Sequence, residues 1–172
     1  LPILTVECGE VYDDAGATAL DTYDGDLTES IATTNPLDAD TPGEYTVRYN
    51  VSDEAGNTAT EVTRAVTVED TTPPTITRTG DASVTVECGD SYSDDGATAS
   101  DACDGDLTED IATTNPVDAD TPGEYTVHYN VSDDEGNTAT EVTRTVTVED
   151  TTPPVITRTG DASVTVECGD SY

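Results

Sequence analysis

YTVHYNVS at Tyr125–Ser132 sets Tyr125, Val127, Tyr129 and Val131 against Thr126, His128, Asn130 and Ser132. Apolar and polar residues alternate with period two, the pattern of a β-strand that buries one face. The same reading applies to Tyr45–Ser52 and to SVTVEC at Ser83–Cys88, which turns Val84, Val86 and Cys88 inward. It applies again to VTRTVTV at Val142–Val148, where Arg144 falls on the inward register between Val142 and Val146. Such an arginine, like Arg64 in the matching stretch, is expected at a sheet edge, with its head reaching a carboxylate. About a fifth of the residues are threonine, which favours exposed strand faces. Helix signals are absent. Turn chemistry falls where strands should end, in TPGE at Thr121–Glu124, DDEGN at Asp133–Asn137 and TGDAS at Thr79–Ser83. Short strands with turns every dozen or so residues predict an all-β chain of antiparallel β-sandwich units.

The pattern recurs because the chain repeats. VECGE at Val6–Glu10 returns as VECGD at Val86–Asp90 and at Val166–Asp170, a constant offset of 80 residues, and residues 1–92 differ from 81–172 at only 18 positions. A fixed period of this length signals modules joined end to end. The expected division is a module over 1–72 lacking its first strand, a complete module over 73–152, and the first strands of a third over 153–172. The PPxITRTG opening at Pro73–Gly80 and Pro153–Gly160 has no counterpart in the first module. Two readings stay open: a window on a longer array, or a surplus strand of one copy completing the deficient module of the next, as in donor-strand complementation.

The run PPxITRTGxxxVxVECGDSYSDDGATASDACDGDLTEDI, followed by VDADTPGEYTVHYNVSDDEGNTATEVTRTVTV, resembles the bacterial surface Ig-like family, also met in pesticidal crystal proteins and akin to hyalin-repeat modules. DGDLT at Asp104–Thr108, PGEYTVHYNVSD at Pro122–Asp133 and GNTA at Gly136–Ala139 carry the resemblance, which covers the whole chain. It implies tandem immunoglobulin-like sandwiches on a secreted or cell-surface protein. Such modules decorate adhesins, stalks, surface-layer proteins and secreted enzymes without themselves catalysing anything.

Thirty-eight acidic residues against five basic ones give a net charge of −33, which repels nucleic acid and anionic membranes alike. All five cations are arginines: Arg48, Arg64, Arg78, Arg144 and Arg158. The balance suits high salt or abundant divalent cations, since at about 1 M salt the Debye length falls to roughly 3 Å. Without lysine, no Lys–Asn isopeptide cross-link can form. No apolar run reaches the length of a membrane span.

Cys88 and Cys103 share the complete module, and a disulfide between them is the expectation. It would close a loop of about 15 residues, worth on the order of 3 kcal/mol in the chain-entropy description. The alternative is a pair of buried free thiols. Tyr23 holds the slot matching Cys103 in the first module, so Cys8 has no partner within its own repeat and is left as a buried thiol or for pairing between chains.

Asp101, Asp104 and Asp106 in DACDGD, repeated as Asp21, Asp24 and Asp26, gather hard oxygen ligands on a glycine-bearing loop, which is what Ca²⁺ needs. The loop Asp133–Glu135, with Asp53 opening its counterpart, should lie where the chain enters a module, and the entering linker VEDTTPP at Val68–Pro74 is itself acidic. Ca²⁺ at the junction, held by Asp70 with Asp101, Asp104, Asp106 and Asp133, is the expectation; a solvated acidic surface is the alternative. The Pro pair restricts the linker even without metal.

Signals for chemistry are missing. His128 lies on an outward strand face and is replaced by Arg48 in the preceding repeat, which a general base would not tolerate. Nucleophile elbows, phosphate-cradling loops and zinc spacings are absent. Asn50 and Asn130 begin N-x-S sequons and are candidate glycosylation sites. The expected function is therefore a non-catalytic extracellular spacer, stalk or filament of Ig-like modules, stiffened by Ca²⁺. Its expected partners are other copies of itself, joined head to tail, laterally or by donor-strand exchange. The alternative is an adhesin module recognising a cell-surface glycan or protein.

Overall fold

The computed structural model describes residues 4–169. The first repeat contributes β1 (Leu4–Glu7), β2 (Leu20–Asp21), β3 (Gly25–Asp26), β4 (Ala32–Thr34), β5 (Gly43–Asn50) and β6 (Val62–Glu69). The second contributes β7 (Thr75–Arg78), β8 (Ser83–Glu87), β9 (Ala97–Asp101), β10 (Gly105–Asp106), β11 (Ala112–Thr114), β12 (Gly123–Asn130) and β13 (Val142–Glu149). Among the described residues the only helical elements are 3₁₀ turns at Thr28–Ser30 and Thr108–Asp110.

In the second repeat a four-stranded sheet, β11-β12-β13-β8, packs on a three-stranded one, β10-β9-β7. The alternating residues meet between them: Val127, Tyr129 and Val146 are fully buried and pack with Ile76, Ala99, Leu107, Val131 and Ala139. The Tyr125 hydroxyl donates to the Thr121 carbonyl at 2.9 Å, pinning the turn before β12, and Tyr45 does the same to Thr41 at 2.8 Å.

One pair per repeat departs from the antiparallel expectation. β8 runs parallel to β13, with Val84 opposite Val146 and Val86 opposite Val148, as β1 does to β6. The cause is a change of sheet. β7 pairs antiparallel with β9, and the chain then crosses at Thr79–Ala82 and continues in the same direction on the other layer. Gly80 makes the crossover with φ +74°, and a Cβ there would lie 2.5 Å from the Asp95 carboxylate.

Arg144 does not snorkel from a sheet edge. It is 1% exposed in the middle of the sandwich, paired with Asp94, and donates to the Thr79 and Asp81 carbonyls of the crossover. Asp94 also accepts from the Tyr92 and Tyr129 hydroxyls, each at 2.7 Å. Burial works to raise the Asp94 pKa, but these hydroxyls and the guanidinium outweigh it and hold the carboxyl below its usual value. Burial, reinforced by Asp94, pushes the Tyr129 phenol up. Arg64, Asp14, Tyr12 and Tyr49 repeat the arrangement, with the Arg64 side chain 30% exposed.

The difference at Arg64 follows from β7. Among the described residues no strand takes its place in the first repeat, whose core shrinks to Val47, Tyr49 and Val66. Leu20 is 85% exposed, and a groove of about 390 Å³ runs beside Ala19, Leu27, Ile31, Tyr49 and Val62. Residues 153–169, which repeat the sequence of β7 and β8, form no strand, and Val155 and Ile156 are exposed. Their ladder partners, the equivalents of β9 and β13, come later in a repeat.

Candidate functional site

The two repeats meet at a junction where loops of the second close on the linker and the trailing end of the first. β6 ends at Glu69, and the linker Asp70–Pro74 leads into β7. Glu7, at the end of β1, holds this linker by accepting the Thr71 amide at 2.8 Å and both the Thr71 and Thr72 hydroxyls at 2.8 and 2.7 Å. The Thr71 amide first, then the two hydroxyls, lower the Glu7 pKa. Pro74 is buried. On the far side, Asn137 donates to the Asp70 carbonyl at 3.1 Å and to the Asp133 carboxylate at 2.9 Å.

Carboxylates converge where these segments meet. Ligand atoms of Asp70, Asp101 and Asp133 lie within 4.8 Å of one another, as do those of Asp104, Asp133 and Glu135. Asp70 and Asp133 are each 7% exposed. None of the ion pairs among the described residues involves this group. The Asp70 Oδ1 accepts the Thr72 amide at 3.1 Å, but Oδ2 is buried with no hydrogen-bond partner. Burial first, then the charges of Asp101, Asp133 and Asp104, raise the Asp70 pKa. Burial and the same surroundings raise that of Glu135.

Other candidate positions do local work. Asp106 lies outside these clusters and accepts the Thr108 amide at 3.0 Å, starting a 3₁₀ turn. In the first repeat Asp21, Asp24, Asp26 and Asp53 form no such group among the described residues. Asp21 holds the Tyr23 and Asp24 amides, Asp24 the Glu54 amide, Asp26 the Thr28 amide and Asp53 the Asn57 side chain. The described residues offer these aspartates no counterpart of Asp70. Glu135, absent from the expected ligand set, is the addition.

The expected Cys88–Cys103 bond is not formed. Cys103 is bonded to Cys8 of the preceding repeat, 95 residues away, and Cys88 is free. The reason is placement along the sandwich. Cys88 follows β8 at the trailing end, where its amide donates to the Glu149 carbonyl at 2.8 Å, whereas Cys103 lies at the leading end, between β9 and β10. The eight-residue strands between those ends span roughly 25 Å. The trailing end of one repeat instead touches the leading end of the next. Gly9 makes this contact with φ +80°, and a Cβ there would lie 3.2 Å from the Ala102 Cβ.

The remaining candidates lie on strand faces. His128 Nδ1 is 3.1 Å from Glu141, and Arg48 makes the equivalent contact to Glu61, so the two share a structural task. The amides of Asn50 and Asn130 donate to the same two glutamates at 2.9 and 3.0 Å.

Residues 2–68 and 76–148 match the family described as the Ig-like domain of bacterial surface proteins. The chain is 38% identical over 145 residues to hyalin of Lytechinus variegatus, covering 80% of this chain and 27% of hyalin. It is 38% identical over 143 residues to hyalin of Strongylocentrotus purpuratus, covering 78% of this chain and 12% of that protein. The chain thus spans a minor part of the curated relatives it matches. A lipoprotein of Bacteroides thetaiotaomicron is 32% identical over 47% of this chain and 40% of its own, with a TM-score of 0.42. Two matched repeats, the second folded as a four-stranded sheet on a three-stranded one, make this chain a member of the bacterial surface Ig-like domain family.

Proposed function

We propose that this chain is a non-catalytic extracellular spacer in which Ig-like repeats are held at a set separation by a locked junction, with Ca²⁺ as part of the lock. The observation that carries the reading is the junction itself: a linker clasped by Glu7, a disulfide between successive repeats, and acidic ligands gathered around the buried, unpartnered Asp70 Oδ2. Two carboxylates at about 5 Å repel by roughly 3 kcal/mol at an effective dielectric near 20. A hard divalent cation removes that repulsion and takes six to eight oxygens, a demand that a carboxylate cluster with its backbone carbonyls suits. Asp70, Asp101, Asp104, Asp133 and Glu135 would hold the ion. Surface location follows the family's description and the acidic composition.

Calorimetric titration with Ca²⁺ tests the metal. Binding is expected to the full chain and to weaken at least tenfold in Asp70→Asn. No heat from the unaltered protein, or equal affinity in the variant, would remove Ca²⁺ from the account.

A further inference from the structure

The trailing end of the second repeat reproduces the backbone contacts and the glutamate clasp that set Cys8 in the first. The Cys88 amide donates to Glu149 O at 2.8 Å, as Cys8 does to Glu69 O, and the Gly89 amide to Ala119 O at 2.9 Å, as Gly9 does to Ala39 O. Glu87 clasps Thr151 and Thr152 as Glu7 clasps Thr71 and Thr72. The outgoing linker therefore leaves the second repeat by the same path.

What differs is the cover. Cys8 is 3% exposed beneath its bonded neighbour, whereas Cys88 is partly exposed and its thiol donates to Asp120 O at 3.3 Å. The Cys103 sulfur takes the equivalent position over Asp40 O at 3.9 Å. A Cβ on Gly9 would strike Ala102, but one on Gly89, at φ +89°, meets nothing within 4 Å. Asp70 is buried against the next repeat, and Asp150 is exposed. Each uncovered position corresponds to one that, a repeat earlier, is covered by the leading end of the next repeat.

We infer that Cys88 is one half of a second junction disulfide, completed by the thiol of a D-x-C-D-G-D loop in a following repeat. Residues 153–169 already continue the repeat that would carry such a loop. The bond forms between the two sulfurs as both thiols lose their protons. The electron pair passes to a small-molecule disulfide oxidant, which is reduced to two thiols. Burial and the charges of Asp150, Asp120 and Glu87 raise the Cys88 pKa, disfavouring its thiolate, so docking of the loop rather than intrinsic reactivity selects the partner. The inference extends the junction reading, but its test reports thiol connectivity alone, so its failure leaves the spacer and Ca²⁺ readings standing.

The test appends a copy of residues 93–152 after Tyr172, completing a third repeat from a unit that already folds in this chain. After refolding with oxidised and reduced glutathione, non-reducing peptide mapping should find Cys8–Cys103 retained, Cys88 bonded to the added loop cysteine, and Cys168 free. The same mapping on the extended chain carrying Cys168→Ser should give the identical Cys88 bond. Pairing of the added cysteine with Cys168, or a free thiol at Cys88 in the Cys168→Ser protein, overturns the inference.

Discussion

Replacing Cys103 by serine should destabilise the two repeats together, although the residue sits in a surface loop. Cys8 and Cys103 are 95 residues apart, and the loop they close contains nearly all of the first repeat, the linker and the start of the second. In the chain-entropy description, a closed loop near 100 residues restricts the unfolded chain by an amount worth about 4.7 kcal/mol at 25 °C. At about 2–4 °C per kcal/mol for a chain of this size, Cys103→Ser should lower Tm by roughly 9–19 °C. That figure is a ceiling, because the constraint is felt in full only when the first repeat and the linker unfold with the second. Scanning calorimetry of the oxidised protein, the reduced protein and the variant measures it, and reduction should change the variant little. Connectivity is checked by trypsin, which cuts only at the five arginines. Without reductant, peptide 1–48 should remain linked to peptide 79–144, whereas a Cys88–Cys103 bond would lie within 79–144 and leave 1–48 free. Free 1–48 from oxidised protein, or a Tm unmoved by reduction, would refute the reasoning.

Arg144→Met should cost about 3–5 kcal/mol, because it strips the partner from a buried carboxylate, whereas Arg64→Met should cost less because its side chain is 30% exposed. Urea titrations of the two variants compare them, and equal losses would contradict the sealing role of β7 and its crossover. The pH response should have two limbs. Asp94 and Asp14 have lowered pKa values, so their contribution is present above the unfolded value near 3.9 and is lost as pH falls through the depressed folded value. Asp70 has a raised one, so in chelator the junction is costliest at neutral pH and is relieved as pH falls through that value, and protons compete with Ca²⁺. Apparent Ca²⁺ affinity should therefore decline as pH falls through the raised Asp70 value, and an affinity independent of pH down to the unfolded value near 3.9 would exclude Asp70 as a ligand.

Strand positions and inward faces were legible because alternation is a local property: Val127, Tyr129, Val146 and Val148 stand in the text as they stand in the core. Of the expected Asp70, Asp101, Asp104, Asp106 and Asp133, all but Asp106 converge, since the loops at one end of a sandwich must meet the incoming linker. Asp94 is not legible as the mate of Arg144, because the pair lies 50 residues apart with nothing local to join them. An arginine on an inward register was the available signal, since a buried charge demands a partner. The parallel β8–β13 pair depends on a sheet change that alternation does not encode. The Cys8–Cys103 bond is not legible locally, because distance along the sequence does not report distance in space. Cys88 and Cys103 are close in the chain but at opposite ends of the unit, and the repeat period brings Cys8 to Cys103 instead.

Small-angle scattering from the full chain, oxidised in Ca²⁺ and then reduced in chelator, tests the locked junction most directly. A fixed separation predicts a distance distribution with a sharp inter-repeat maximum in the first state, broadening and shifting to shorter distances in the second. A broad distribution already present in the oxidised, Ca²⁺-loaded protein, or one indifferent to both treatments, would contradict the spacer account.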